Sequence, residues 1–227
     1  MGFLVNSFIE FPDTCDLSFT NDFSSGWVEV GSQYTIESDR VDYVVKRDGS
    51  NNYVNKDLQD SDALGSGNNL DDTQFTARWH MVNTGNSAGS YNCSSYIGVR
   101  SANGVSTASQ DYLAFRFVNG GDNSIVSLGG NGVDFQNPSV QSSDFSTSIS
   151  ATMDIYLQIK RTATDSVTFG IYSDSDYSTL VDEKTLSISS DYTGLRYFSM
   201  ITRNSTTKPE TMTGQFNTVK IYNGCNP

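Results

Sequence analysis

The chain has 227 residues and carries 14 Lys plus Arg against 26 Asp plus Glu, a formal net charge of −12. That length suffices for one large all-β domain with a sizeable core, and the acidity argues against a phosphate-backbone binder, which needs a basic stripe. No window approaches eighteen apolar residues, which argues against a membrane-spanning helix.

The acids are uneven: 21 are Asp and only five are Glu. Glu suits helix interiors, whereas Asp suits turns and caps. With 19 Gly, the composition predicts strands joined by many turns. An aromatic share of 12% within a hydrophobic share of 36% disfavours wholesale disorder.

In chain order, the opening MGFLVNSFIEFPD lacks a basic region, a sustained apolar run and a small-residue cleavage site. No signal peptide is expected in it, and residues 1–14 are expected to form an arm or an edge strand. Period-two alternation then predicts strands at 27–36, 41–46, 75–82, 95–100, 112–118, 124–128, 154–161, 166–173, 195–203 and 214–222. Turn chemistry separates them at 48–52, 65–69, 119–123 and 129–132. A short helical turn is expected near 178–183. Nothing divides the chain, so residues 1–227 are expected to be one antiparallel two-sheet sandwich or jelly roll.

Strand phase separates faces. Phe75, Ala77, Trp79 and Met81 share one side of their strand, as do Ile97 and Val99, then Leu113, Phe115 and Phe117, then Ile155, Leu157 and Ile159. These sides are the expected core. Trp27, at a strand start, is expected either at the rim or plugging the end of the core. The opposite sides carry Arg78, His80, Tyr96, Arg100, Tyr112, Arg116, Tyr156 and Lys160. If the strands are neighbours, these residues converge on one basic, aromatic sheet face. Glycans favour aromatic stacking plus planar donors, and Arg also takes carboxylate or sulfate bidentately. The same residues also suit a sheet surface through β propensity alone, or a contact with another protein subunit.

No catalytic residues are expected. The nearest Glu pair, Glu29 and Glu37, has no Asp between its members. His80 is the only histidine, and no G-x-S-x-G elbow accompanies it. For a metal, Asp122, Asp134, Asp174 and Asp176 offer hard oxygens in loops, and Ca2+ is the ion that such ligands suit. Asp-rich turns also simply cap themselves. The cysteines are Cys15, Cys93 and Cys225, an odd number without metal spacing. A Cys15–Cys225 bridge near the chain ends is one reading, and three buried thiols is the other.

Three segments carry a family resemblance: NDFSSGWVEVGSQYTI, YLQIKRTATDSVTFGIYSDSDYSTLVDEKTLSI and the closing TGQFNTVKIYNG. They resemble the concanavalin A-like lectin/glucanase superfamily, and within it the LamG-like (laminin-G/pentraxin-type) jelly rolls. Asn217 stands where many such closing strands carry Asp. The resemblance implies two antiparallel sheets, one curved, with ligands on a concave face or rim loops, sometimes through calcium. The E-x-D-x-(x)-E strand of the superfamily's glycosidases is missing here. The expected function is a non-catalytic extracellular binding or adhesion module for polysaccharide or cell-surface glycan. The alternative is a structural protein of a virus particle or appendage, such as a capsid decoration or tail-fibre component, whose partners are protein subunits. Extracellular space or a virion surface is the expected location.

Overall fold

The computed structural model describes residues 19–20, 23, 25–46, 48–50, 52–59, 64, 69–87, 93–103, 110–119, 124–132, 139–148, 150, 152–202 and 210–227. Every regular element among them is a strand. The first five are β1 (Phe19–Thr20), β2 (Trp27–Val30), β3 (Tyr34–Ile36), β4 (Arg40–Lys46) and β5 (Tyr53–Asp57). The next five are β6 (Phe75–Asn86), β7 (Cys93–Arg100), β8 (Gln110–Asn119), β9 (Ser124–Gly132) and β10 (Ser139–Ser148). The last are β11 (Met153–Ala163), β12 (Ser166–Tyr172), β13 (Leu180–Ser187), β14 (Tyr197–Thr202) and β15 (Thr211–Asn223).

Two antiparallel sheets result. The first has the order β13-β12-β11-β6-β15-β4-β3, and β1 also pairs with β15. The second has the order β10-β9-β8-β7-β14-β5-β2. The apolar phases of both meet in one core. Trp79 on β6 packs edge-on against Phe115 on β8 at 5.6 Å and Phe198 on β14 at 5.2 Å. Phe115 also meets Phe169 on β12 at 5.3 Å. Trp27 plugs the end of this core, stacked on Phe23 at 5.1 Å and packed against Phe216.

The stretch 27–36, which reads as one strand, is two. β2 pairs with β5 in the second sheet and β3 with β4 in the first. The chain changes sheets at Gly31, whose φ of +94° belongs to the left-handed region. A Cβ there would lie 1.9 Å from the Asn52 side-chain oxygen, which accepts a hydrogen bond from the Ser32 N–H. Alternation continues through the corner and hides it.

The helical turn expected near 178–183 is also overturned. Leu180–Ser187 is β13, paired with β12 at the sheet edge. Residues 129–132 are the end of β9 rather than a turn. Gly130 lies beneath the Tyr112 ring, where a Cβ would fall 2.3 Å from the phenol oxygen. β5 and the Ser-rich β10 have little apolar alternation, and their pairing partners decide their conformation.

Candidate functional site

The outward residues do not share one face. Arg78 and His80 on β6, with Tyr156 and Lys160 on β11, lie on the first sheet. Tyr96 and Arg100 on β7, with Tyr112 and Arg116 on β8, lie on the second. Within each sheet the two strands are direct neighbours. Strand phase distinguishes in from out but does not assign a strand to a sheet.

Around β7, β8 and β9 the second sheet is buried on both sides. Tyr96, Tyr112, Ala114, Val126 and Leu128 form a separate apolar cluster behind the main core. Arg100 is only 2% exposed, and burial pushes its guanidinium pKa down to about 9. Arg116 is half-buried, with its guanidinium 5.9 Å from the Tyr96 ring. These four residues form an inner layer and present no open sheet face.

The first sheet does present one. Its register aligns Tyr172, Tyr156, His80, Asn217 and Arg40 in a single row across β12, β11, β6, β15 and β4. At normal strand spacing this row is about 19 Å long. Tyr172 bends back over Gly170, where a Cβ would lie 2.6 Å from the ring. Its hydroxyl accepts from the Gln158 amide at 3.2 Å. The Tyr156 ring stacks on His80 at 4.3 Å and 11°. His80 is fixed through both nitrogens, Nε2 at 2.6 Å from Asp154 and Nδ1 at 3.0 Å from Asn217.

A β-bulge positions Asn217. β15 slips against β6 between Asn217 and Lys220, and Thr218 takes a φ of +54°. That conformation is strained for a β-branched residue. The slip keeps Phe216, Val219 and Ile221 in the core while Asn217 and Lys220 stay outward. Opposite the bulge, the Trp79 carbonyl accepts from the Tyr177 hydroxyl at 3.3 Å. Tyr177 thereby folds over the face, edge-on to Tyr172 at 5.3 Å and Tyr156 at 6.0 Å. Burial raises the Tyr177 phenol pKa. Arg78 lies 4.5 Å from the Tyr177 ring and 5.5 Å from Tyr222. Its Nε donates to Gln158 and its Nη2 to the Pro227 carbonyl oxygen. Beyond Asp154 the face continues into an open pocket of ≈ 270 Å³ lined by residues 82–84 and 152–154.

Of the outward residues named by strand phase, Arg78, His80, Tyr156 and Lys160 lie on this face, and Tyr172, Tyr177 and Tyr222 are not among those named. Tyr172 and Tyr222 lie on outward phases of recognised strands, so the signal for them was present. Tyr177 comes from a loop, and no periodicity points to it.

Of the candidate metal ligands, Asp122 and Asp134 lie outside the described residues. Asp174 accepts hydrogen bonds from the backbone N–H groups of Asp176, Ser178 and Thr179 and from the Ser178 hydroxyl. The Ser178 N–H leads in pulling its pKa down to about 2. Asp176 is exposed in the same turn. Among the described residues, no group of three or more His, Cys, Asp or Glu could hold a metal ion. Cys225 is disulfide-bonded, and Cys15 lies outside the described residues.

No protein-family model matches the chain, and no curated protein matches it in sequence. Solved structures do match in fold. The CBM2 module of the evolved Dit of Lactobacillus casei BL23 phage J-1 is similar at a TM-score of 0.57 and 11% identity, over 93% of this chain and 97% of that one. A Crh5 transglycosylase in complex with NAG is similar at 0.53 and 14%, over 93% and 86%. A legume lectin-like domain from Entamoeba histolytica is similar at 0.52 and 10%, over 87% and 90%. At these identities the likeness concerns fold alone, and the chain has the jelly-roll sandwich of lectin-like domains.

Proposed function

We propose that this protein is a non-catalytic carbohydrate-binding module that uses the outer face of its first sheet. The observation that carries the reading is the row Tyr172–Tyr156–His80–Asn217. It combines tyrosine rings with the Asn217 amide, whose oxygen is held by His80 and the Thr218 hydroxyl. Apolar faces of sugar rings stack on such aromatics, while planar polar groups select hydroxyls. The bulge at Thr218 supports a functional role, because bulges and strained residues concentrate at binding sites. The fold is shared with a phage CBM2 module and a lectin-like domain, which agrees with this reading and with an extracellular or virion-surface location. It also suits the LamG-type affinity suggested by the closing strand.

Three features support a binding role without catalysis. Asp154 and Asp42 share a register row through Val82 and Gln215, three strand spacings or about 14 Å apart. Glycoside hydrolysis needs two carboxylates roughly 5–9.5 Å apart. Asp174, which acts on Tyr156 electrostatically, is shifted toward the ionised form, opposite to what a general acid requires. Both His80 nitrogens are already engaged.

The test is a glycan array followed by titration of the best ligand. Tyr156→Ala and Tyr172→Ala are each expected to weaken binding about tenfold, equivalent to roughly 1.4 kcal/mol. Undiminished affinity in both variants places the site elsewhere. Absence of any glycan binding by the wild type overturns the reading.

A further inference from the structure

We infer that the glycan bound on this face is acidic, a polysaccharide carrying uronate carboxylates, and that Lys160, Arg78 and Lys220 receive its charge. The inference rests on the carbohydrate-binding reading above. Arg78 and Lys220 are direct cross-strand partners on β6 and β15. On β11, Gln158 pairs with Arg78 and Lys160 with Thr76, so Lys160 is the diagonal neighbour of Arg78. Directly opposed side chains have Cβ atoms about 5 Å apart, and diagonal ones about 7–8 Å. Three cations thus occupy three adjacent central strands on one side of the sheet. All three are half-buried, and their inward neighbours Ala77, Trp79, Ile159, Val219 and Ile221 are in the core.

Like charges directly opposed across strands destabilise a sheet, and among the described residues no side-chain carboxylate offsets them. Among the described residues no side-chain carboxylate pairs with any of the three, although ion pairs do engage Arg40, His80, Arg161, Lys184 and Arg196. Arg78 bonds Gln158 and Pro227 and lies between two tyrosine rings. Among the described residues, Lys160 and Lys220 have no side-chain hydrogen-bond partner. A chain with 26 acids for 14 bases has carboxylates to spare, yet these cations have none among the described residues. The complement is an external anion. Outward positions on one strand repeat every second residue, about 6.7 Å, which suits charges spaced regularly along a polymer. The aromatic row lies directly beside the cations, with Tyr156 two residues from Gln158 on β11. One sugar chain can therefore stack on Tyr156 and Tyr172 while its carboxylates meet Arg78 and the two lysines.

The experiment compares polygalacturonate with its methyl ester, which keeps the backbone and removes the charge, by isothermal titration of the whole chain. Wild type is expected to prefer the free acid by about tenfold or more and to lose that preference as salt rises from about 0.05 M to about 0.5 M. Lys160→Gln with Lys220→Gln is expected to abolish the preference while the thermal melt stays within a few degrees of wild type. Equal affinity for acid and ester, or an undiminished preference in the double variant, overturns the acidic-ligand inference and leaves the carbohydrate reading intact. Binding to neutral glycans alone on the array has the same consequence. Failure to bind either polymer or any array glycan overturns both.

Discussion

At the scale of single residues, Asp174 controls whether the aromatic face is complete. Its carboxylate accepts from the 176, 178 and 179 backbone N–H groups, and so it shapes the turn that presents Tyr177 at a φ of +57°. These bonds favour the charged form and lower the pKa from 3.8 to about 2. A pKa depressed by folding contributes stability above the unfolded value, and that contribution is lost as pH falls through the folded value. The window therefore runs from about pH 4 down to about pH 2. Thermal melts across it are expected to show a shallower decline for Asp174→Asn than for wild type. Asp48, Asp71 and Asp182 are shifted the same way and maintain a residual slope. Identical slopes in both proteins remove Asp174 from this account.

At the scale of elements, the bulge in β15 organises the site. It keeps alternate residues of a long central strand in the core while placing Asn217 against His80 and exposing the Trp79 carbonyl to Tyr177. The cost is a threonine in a left-handed conformation, about 1–3 kcal/mol for such strain. Thr218→Gly relieves it and gives back part of the gain through unfolded-chain entropy. Its hydroxyl contact with Asn217 at 2.8 Å is also lost. The expected result is a net stabilisation of about 1 kcal/mol together with weaker glycan binding, because Asn217 is freer. Denaturant melts and titration read both quantities. A lower midpoint for the glycine variant contradicts the strain argument. The residues that the bulge aligns were legible one strand at a time, since the outward phases of β6 and β11 named Arg78, His80 and Tyr156. The slip itself has no sequence signature, because no glycine marks it.

At the scale of the whole molecule, the first and last described strands meet in the first sheet. β1 pairs with β15 as Phe19↔Ile221 and Thr20↔Lys220. In the sequence Cys15 precedes β1 by four residues and Cys225 follows β15 by two. Cys225 is disulfide-bonded, and we propose Cys15 as its partner. A bridge there closes a loop of roughly 200 residues, worth about 5 kcal/mol in the chain-entropy account. Cys225→Ser is expected to lower stability by an amount of that order. A non-reduced digest is expected to contain a Cys15–Cys225 linked peptide, and a Cys93–Cys225 peptide instead refutes the pairing. Cys225 directly follows Gly224, whose N–H donates to the Gln74 carbonyl, and precedes Asn226, which bonds Thr76. The bridge therefore also fixes the tail that brings Pro227 onto Arg78.

The sequence by itself determined that the protein is all-β, where ten of its strand regions fall, and which side of the recognised strands is apolar. These are local properties, because period-two alternation and Asp- and Gly-rich turns are read within a few residues. It also named Arg78, His80, Tyr156 and Lys160 as outward. Which strands are neighbours emerges only from the pairing of the folded chain. That pairing split eight outward residues between two sheets, burying Tyr96, Arg100 and Tyr112 and leaving Arg78, His80, Tyr156 and Lys160 on the open face. Pairing joins segments distant in sequence, and alternation is identical whichever sheet a strand enters. The minority positive charge became informative for the same reason. Lys160, Arg78 and Lys220 are far apart along an acidic chain, and they form one cluster only because β11, β6 and β15 lie side by side.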